Sequence, residues 1–214
     1  MNRRSFLNSV ASSAALLAFA KTANAYNRCV PHMQFGQMCE AGVNLQQMVS
    51  AYDPQHMQQW CWAASIEMIF GFYGYRVPQQ AIVQATYGSV VNMPAVTGYV
   101  ISRNLNRDWI DQSGRRFRVQ IEGLFDVDAQ IMGLNNLQIV SALAGNRPLL
   151  MGNTSHAMVL FSAAYVPPAN IVNIGLADPW PGIGFRGPQS PAEMVPMHMG
   201  GALRYLCLPR ITQI

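Results

Sequence analysis

Charge is the scarcest ingredient of this chain. Only 11% of its 214 residues are Asp, Glu, Lys or Arg, while 50% are hydrophobic; ordinary globular chains carry roughly 25% charged residues. Such a composition excludes a disordered chain, which is poor in apolar side chains and rich in charge. The length fits one domain whose core closes without help. Lysine is nearly missing: Lys21 is the only one, and nothing in the sequence gives a physical reason for it. No Cys-x-x-Cys occurs among the four cysteines, so zinc-ligand spacing is missing. After residue 25 no stretch approaches the run of roughly 18 apolar residues that a membrane helix needs. The only dense basic run is Arg115-Arg116-Phe117-Arg118, suited to a solvated strand edge, so no nucleic-acid partner is expected.

Residues 1–25 read as a cleaved export signal rather than as part of the domain. Asn2-Arg3-Arg4-Ser5-Phe6-Leu7 supplies a basic start, Val10 to Ala20 is apolar or small, and Ala23-Asn24-Ala25 suits a signal peptidase. The twin arginine followed by Phe-Leu resembles a Tat signal, with an ordinary Sec signal as the alternative. Arg3, Arg4 and Lys21 leave with this segment and no acid does, so eleven cations face ten acids in the mature chain, a net charge of +1. The expected location is periplasmic or secreted, with no membrane insertion after signal cleavage. All four cysteines, Cys29, Cys39, Cys61 and Cys207, lie in the exported part, where disulfides are permitted.

The remaining chain, 26–214, shows no repeat and no low-complexity linker and reads as one structural unit. Tyr26 to Pro54 is polar, Gln-rich and weakly periodic, and is expected to wrap the domain as an arm. Cys61 to Tyr73 reads as an apolar helix that stops near Gly74, with Trp62, Ile66, Ile69 and Tyr73 spaced to face the core. A helix with Pro in its first turn is expected at Val77 to Val83, and another within Pro94 to Asn106. In the second half, Phe117, Val119 and Ile121 alternate with polar neighbours, as on a half-buried strand. Asn136 to Ala144 is a short helix. Leu149 to Gly152, Ala157 to Tyr165 and Ile171 to Ala177 are strand-like, with Pro167-Pro168-Ala169-Asn170 turning between the last two. A helical first half and a meandering sheet second half make an α+β fold.

Four side chains carry the chemistry. Cys61 opens a helix, where unpaired N–H groups and the positive end of the macrodipole stabilise a thiolate. His156 follows the loop Gly152-Asn153-Thr154-Ser155 at the start of a strand. Asp178 ends the next strand. The two strand arms on either side of Pro167-Pro168 have matched lengths, which sets His156 and Asp178 side by side at one sheet edge, as a base and its orienting carboxylate. Gln55, six residues before Cys61, offers an amide N–H₂ that together with the Cys61 backbone N–H suits an oxyanion formed when the sulfur attacks a carbonyl.

Gln55-His56-Met57-Gln58-Gln59-Trp60-Cys61-Trp62-Ala63-Ala64 resembles the nucleophile segment of papain-like cysteine peptidases, in which Gln lies six before a Cys-Trp that opens the central helix. Leu137 through Gly182, with Ser155-His156-Ala157-Met158-Val159 and Ala177-Asp178-Pro179-Trp180, is similar to the bacterial branch containing bacteriocin-leader peptidases and plant-pathogen avirulence proteases. The resemblance covers about a third of the chain. It implies Cys61 as nucleophile, His156 as general acid/base, Asp178 as the group orienting the imidazole, and Gln55 in the oxyanion site. It also implies a papain-like two-lobed fold in which a helical lobe bearing the nucleophile packs on an antiparallel sheet lobe. The chain departs from the papain pattern in three ways. Cys61 and His156 are only 95 residues apart, Cys-Gly-Ser/Ala before the nucleophile is absent, and the third member is Asp rather than Asn.

The expected activity is therefore an exported cysteine hydrolase, most simply an endopeptidase acting on protein or peptide through a thioester acyl-enzyme, with no metal or organic cofactor. The same triad also suits an amidase or acyltransferase acting on cell-wall peptide. A non-enzymatic alternative is a copper carrier, because Met194-Val195-Pro196-Met197-His198-Met199, with His32-Met33 and Met38-Cys39, collects soft donors. Cys29 and Cys39 are the first choice for a disulfide, which leaves Cys207 free or buried. Glu67 reads as a solvated helix residue and His56 as a loop histidine. Trp180 either shields the triad, lining the substrate site, or packs on the sheet. Oligomeric state is not legible.

Overall fold

The computed structural model describes residues 24–214, so all but the last two residues of the segment expected to be an export signal lie outside the described part. Among the described residues the chain forms five α-helices and ten strands of one antiparallel sheet, an α+β architecture. The segment expected as an arm holds regular elements. β1 (Tyr26–His32) and β2 (Gly36–Gly42) form a hairpin at one sheet edge, followed by α1 (Leu45–Ala51). The hairpin escaped the pattern reading because the five central residues of β1 are all exposed, and a strand without a buried face shows no alternation.

Cys61–Phe72 forms α2, the central helix. Nine of its twelve residues are buried, including Trp62, Ile66, Met68, Ile69 and Phe70, so it is covered on far more than the single face its periodicity suggested. A helix apolar nearly all round must be wrapped by other elements, and α2 packs against α1, α3 (Gln79–Tyr87) and two strands of the sheet. Pro78 sits at the N-cap of α3, just before the helix rather than in its first turn. α4 (Gly98–Asn104) and β3 (Asp108–Ile110) follow. In β4 (Arg116–Asp126), Phe117 and Val119 face inward and Arg116, Arg118 and Gln120 outward. The basic run is paired there: Arg118 bonds Asp108 at 2.6 Å and Arg115 bonds Asp111 at 2.7 Å.

After β5 (Ile131–Met132), α5 (Asn136–Ala144) starts at a capping box between Asn135 and Gln138, which satisfies two otherwise unpaired N–H groups. Then come β6 (Leu149–Asn153), β7 (Ala157–Val166), β8 (Asn170–Asp178), β9 (Gly184–Arg186), two 3-10 turns at Pro191–Met194 and Met197–Met199, and β10 (Leu203–Gln213). β7 is the hub. β8 runs along one of its edges, while β6 and then β2 pair with the other. β10 joins β6 to β4. The division into a helical half and a sheet half is thus incomplete, because β2 crosses to β7 and α5 packs on β1, β2 and β7. Trp60, Trp62, Phe70 and Phe117 are the largest fully buried side chains. Among the described residues no helix is long and apolar enough to cross a membrane.

Candidate active site

The start of α2 is unusual for a helix end. Trp60 occupies the N-cap position and makes no side-chain cap, so the first-turn N–H groups, which have no carbonyl one turn back, are not consumed by a side chain. Cys61 is the first helical residue, partly buried, with a free thiol. The flanking indoles hold it in place. Trp60 Nε1 donates to the Val91 carbonyl at 2.8 Å, and Trp62 Nε1 donates to the Met93 carbonyl at 3.1 Å.

His156 precedes β7. Its backbone N–H bonds Asn153 Oδ1 at 2.9 Å, closing the loop that precedes the strand. Asp178 ends β8, and Val159 opposes Ala177 across the β7–β8 pair, so both side chains lie at the same end of the hairpin. His156 Nε2 and Asp178 Oδ1 are 2.6 Å apart, and the Cys61 sulfur lies near enough to the same imidazole to act on its protonation. With Nε2 committed to Asp178, Nδ1 is the ring nitrogen left to exchange a proton with sulfur. The structure thus brings Cys61, His156 and Asp178 together from three separate elements.

Burial by itself pulls the His156 pKa down. The hydrogen bonds to Asp178 and Cys61, with the attraction of both groups, outweigh that and push it up to about 9. Burial pushes the Asp178 carboxyl up, but its hydrogen bonds to His156, Arg186 and the Trp180 backbone N–H hold it below the usual carboxylate range. An ionised acid beside a basic imidazole keeps the ring protonated at neutral pH.

Gln55 is buried, and its loop is tied to the end of β8. The Gln55 backbone N–H donates to the Pro179 carbonyl at 2.8 Å, and the Tyr52 hydroxyl donates to the Asp178 carbonyl at 3.0 Å. The amide itself is occupied: Nε2 donates to the carbonyls of Met57 at 3.0 Å and Gln58 at 2.8 Å, while Oε1 is buried without a partner. At rest, then, Gln55 braces the loop that enters α2, and one of those two bonds has to loosen before the amide can reach an oxyanion. Trp180 is 46% exposed and meets the His156 ring edge-on, with centroids 6.2 Å apart.

Three observations were not legible beforehand. Arg186 Nε bonds Asp178 Oδ2 at 2.7 Å, and Arg186 Nη1 bonds Glu193 Oε2 at 2.9 Å; a lone arginine eight residues beyond the acid gives no sequence signal. Glu67 is not a solvated helix residue. Desolvation, with Asp53 nearby, raises its pKa to about 7 against the opposing effects of Gln79 and His56, and its Oε2 is buried without a partner. His56, next to Gln55, pairs with Asp53 at 3.1 Å.

The other cysteines lie elsewhere. Cys29 and Cys39 oppose each other across the β1–β2 hairpin and are disulfide-bonded, and Cys207 is free and fully buried. The Met/His cluster is split, with Met194 packed against the core and Met197 and Met199 exposed. Among the described residues no group of three His, Cys, Asp or Glu side chains is placed to hold a metal ion. Compared with known proteins, the chain matches no family model and no curated protein sequence.

Proposed function

We propose that the protein is a cysteine hydrolase, most simply an endopeptidase, with Cys61 as nucleophile, His156 as general acid/base and Asp178 as the orienting acid. The observation that carries this reading is the His156–Asp178 hydrogen bond with the Cys61 sulfur beside the same imidazole, built by one helix start and one hairpin end. With the ring protonated at neutral pH, the imidazolium and the uncapped helix start face the sulfur and favour its attack as the thiolate. Attack on a carbonyl gives an oxyanion within reach of the Cys61 backbone N–H, with Gln55 as second donor once released from one loop carbonyl. The imidazolium then protonates the leaving amine, and water admitted to the same base hydrolyses the thioester. The helix packed against an antiparallel sheet supports a papain-like arrangement, and the Cys29–Cys39 bridge supports an oxidising, exported location.

Iodoacetamide labelling near pH 6, followed by mass mapping, tests the site. Cys61 should be modified rapidly at this pH while the fully buried Cys207 is not, and His156→Ala should suppress the Cys61 rate. Equal labelling of both thiols, or labelling indifferent to His156, overturns the proposal. Cleavage of denatured casein against purified peptidoglycan separates a general peptidase from a cell-wall amidase.

A further inference from the structure

Asp178 serves donors on both of its oxygens. Oδ1 accepts from His156 Nε2 at 2.6 Å and from the Trp180 backbone N–H at 2.9 Å, and Oδ2 accepts from Arg186 Nε at 2.7 Å. The β8–β9 hairpin produces this arrangement. Asp178 opposes Gly184 and Leu176 opposes Arg186, so Arg186 is the diagonal neighbour of Asp178 on the same face, a pairing within reach of a long side chain. The opposite position holds a glycine with φ +69°, where a side chain is disfavoured. The far end of the guanidinium is anchored as well. Nη1 donates to Glu193 Oε2 and to the Gly187 carbonyl, both at 2.9 Å, and Nη2 contacts Met158 Sδ at 3.0 Å. Asp178, Arg186 and Glu193 side chains are 4%, 13% and 11% exposed, so water competes weakly for these bonds.

We propose that Arg186, backed by Glu193, is a positioning residue of the triad: it claims Asp178 Oδ2 and thereby makes a carboxylate, and not a carboxamide, the only third member this site accepts. A carboxylate offers two acceptor oxygens. A carboxamide offers one acceptor and one donor. With an N–H arriving from His156 on one side and from Arg186 on the other, either orientation of an amide points its N–H₂ at another donor. This accounts for Asp178 where the papain pattern has Asn. The charged and titratable groups around the acid are His156 and Cys61 at the cleft, Arg186, Glu193, and Tyr52 on the Asp178 carbonyl, with Asp53 acting on Tyr52. Asp178 and Glu193 balance Arg186 and the His156 imidazolium.

The proposal rests on the hydrolase reading for its effect on catalysis, while its geometric core is tested without it. Asp178→Asn, Arg186→Gln and the double variant are compared with wild type by thermal melting and by the rate of Cys61 alkylation against pH. They are also compared by the downfield NMR signal of the hydrogen-bonded His156 Nε2 proton. Asp178→Asn should lose alkylation rate on the order of 10²-fold and lose the proton signal, the scale at which general-base function is forfeited. Arg186→Gln should move the acid limb of the alkylation profile to higher pH, since the carboxyl loses its cation and keeps Glu193 nearby. The double variant should recover the proton signal and at least about tenfold of the lost rate, because the glutamine carbonyl, unlike a guanidinium, accepts from the introduced amide. Arg186→Met replaces Arg186→Gln if the latter does not fold; it removes the opposing donor without supplying a carbonyl acceptor, so a smaller recovery in the same direction is expected. A double variant no better than Asp178→Asn, or an Arg186→Gln profile superimposable on wild type, overturns the proposal. If wild-type Cys61 is not selectively labelled, the hydrolase reading fails, and the proton signal still decides the role of Arg186.

Discussion

Gln55 carries two jobs that different reactions separate. Its amide braces the 55–60 loop through two carbonyls, and in the proposed mechanism it also meets the oxyanion. Alkylation by iodoacetamide forms no oxyanion, whereas peptide hydrolysis does. Gln55→Ala should therefore leave Cys61 alkylation within a few-fold of wild type while lowering kcat for a peptide by about 10²–10³-fold. Its melting curve should show a loss of about 1–2 kcal/mol for the two lost bonds. Equal loss in both reactions would mean that the loop role dominates. His156 sets the alkaline side of the profile. Its pKa of about 9 means the imidazolium persists well above the ordinary histidine range, and the leaving amine needs that proton. The acylation rate, read as kcat/KM for an amide substrate, should hold through pH 8 and fall with a midpoint near 9, a fall displaced to lower pH in Asp178→Asn, whose ring has lost the carboxylate that raises its pKa. These residue-scale features divide by legibility. Cys61, His156 and Asp178 stand at element starts and ends that periodicity and turn residues mark, so their meeting could be reasoned from chain order. Arg186 and the occupied amide of Gln55 depend on which atom faces which, and no spacing rule reports that.

At the scale of elements, α2 and the 89–97 loop are joined by the two indole bonds on either side of Cys61. Trp62→Phe removes one donor, leaves the Met93 carbonyl unpaired and shrinks a side chain that is 1% exposed. Chemical denaturation should show a loss of about 1–3 kcal/mol, together with slower peptide cleavage as the loop beside the nucleophile loosens. The β1–β2 hairpin should behave differently. Its disulfide closes a short local loop at the sheet edge, far along the chain from His156 and Asp178, so reduction should lower stability by about 2–3 kcal/mol and leave Cys61 reactivity unchanged. An element with end signals, such as α5 with Asn135 and Gly145, was readable to its bounds, while β4, with one wet and one dry face, was readable at its start and runs on past residue 122 to Asp126. The hairpin was not, because β1 is wet on both faces. The full burial of α2 was not readable either, since an apolar run gives its own preference and not the number of neighbours that cover it.

Over the whole molecule the shifted groups pull stability in opposite directions with pH. Asp178 has a folded pKa below its ordinary 3.8, so its contribution is present above that value and lost as pH falls through the folded pKa. Glu67 has the reverse sign. Its folded pKa of about 7 exceeds the ordinary 4.5, so the folded state holds the extra proton, and its stabilisation is full below 4.5 and gone once pH has risen through 7. His156, raised from 6.5 to about 9, loses its contribution across that higher window. Stability should therefore peak between about pH 4 and 5, where Asp178 is ionised, Glu67 is protonated and His156 is charged, and decline in two stages toward pH 9. Glu67→Gln keeps a neutral, hydrogen-bonding side chain at every pH, so it should abolish the first stage and stabilise the protein at pH 8 by on the order of 1 kcal/mol, a figure reduced for partial exposure. The same variant should be neutral at pH 4.5. His156→Gln should remove the second stage and leave the first. Urea denaturation at half-unit pH intervals reads both stages, and a wild-type curve that rises from pH 5 to 8 would show that neither the buried Glu67 nor the triad imidazole holds its proton in the folded protein.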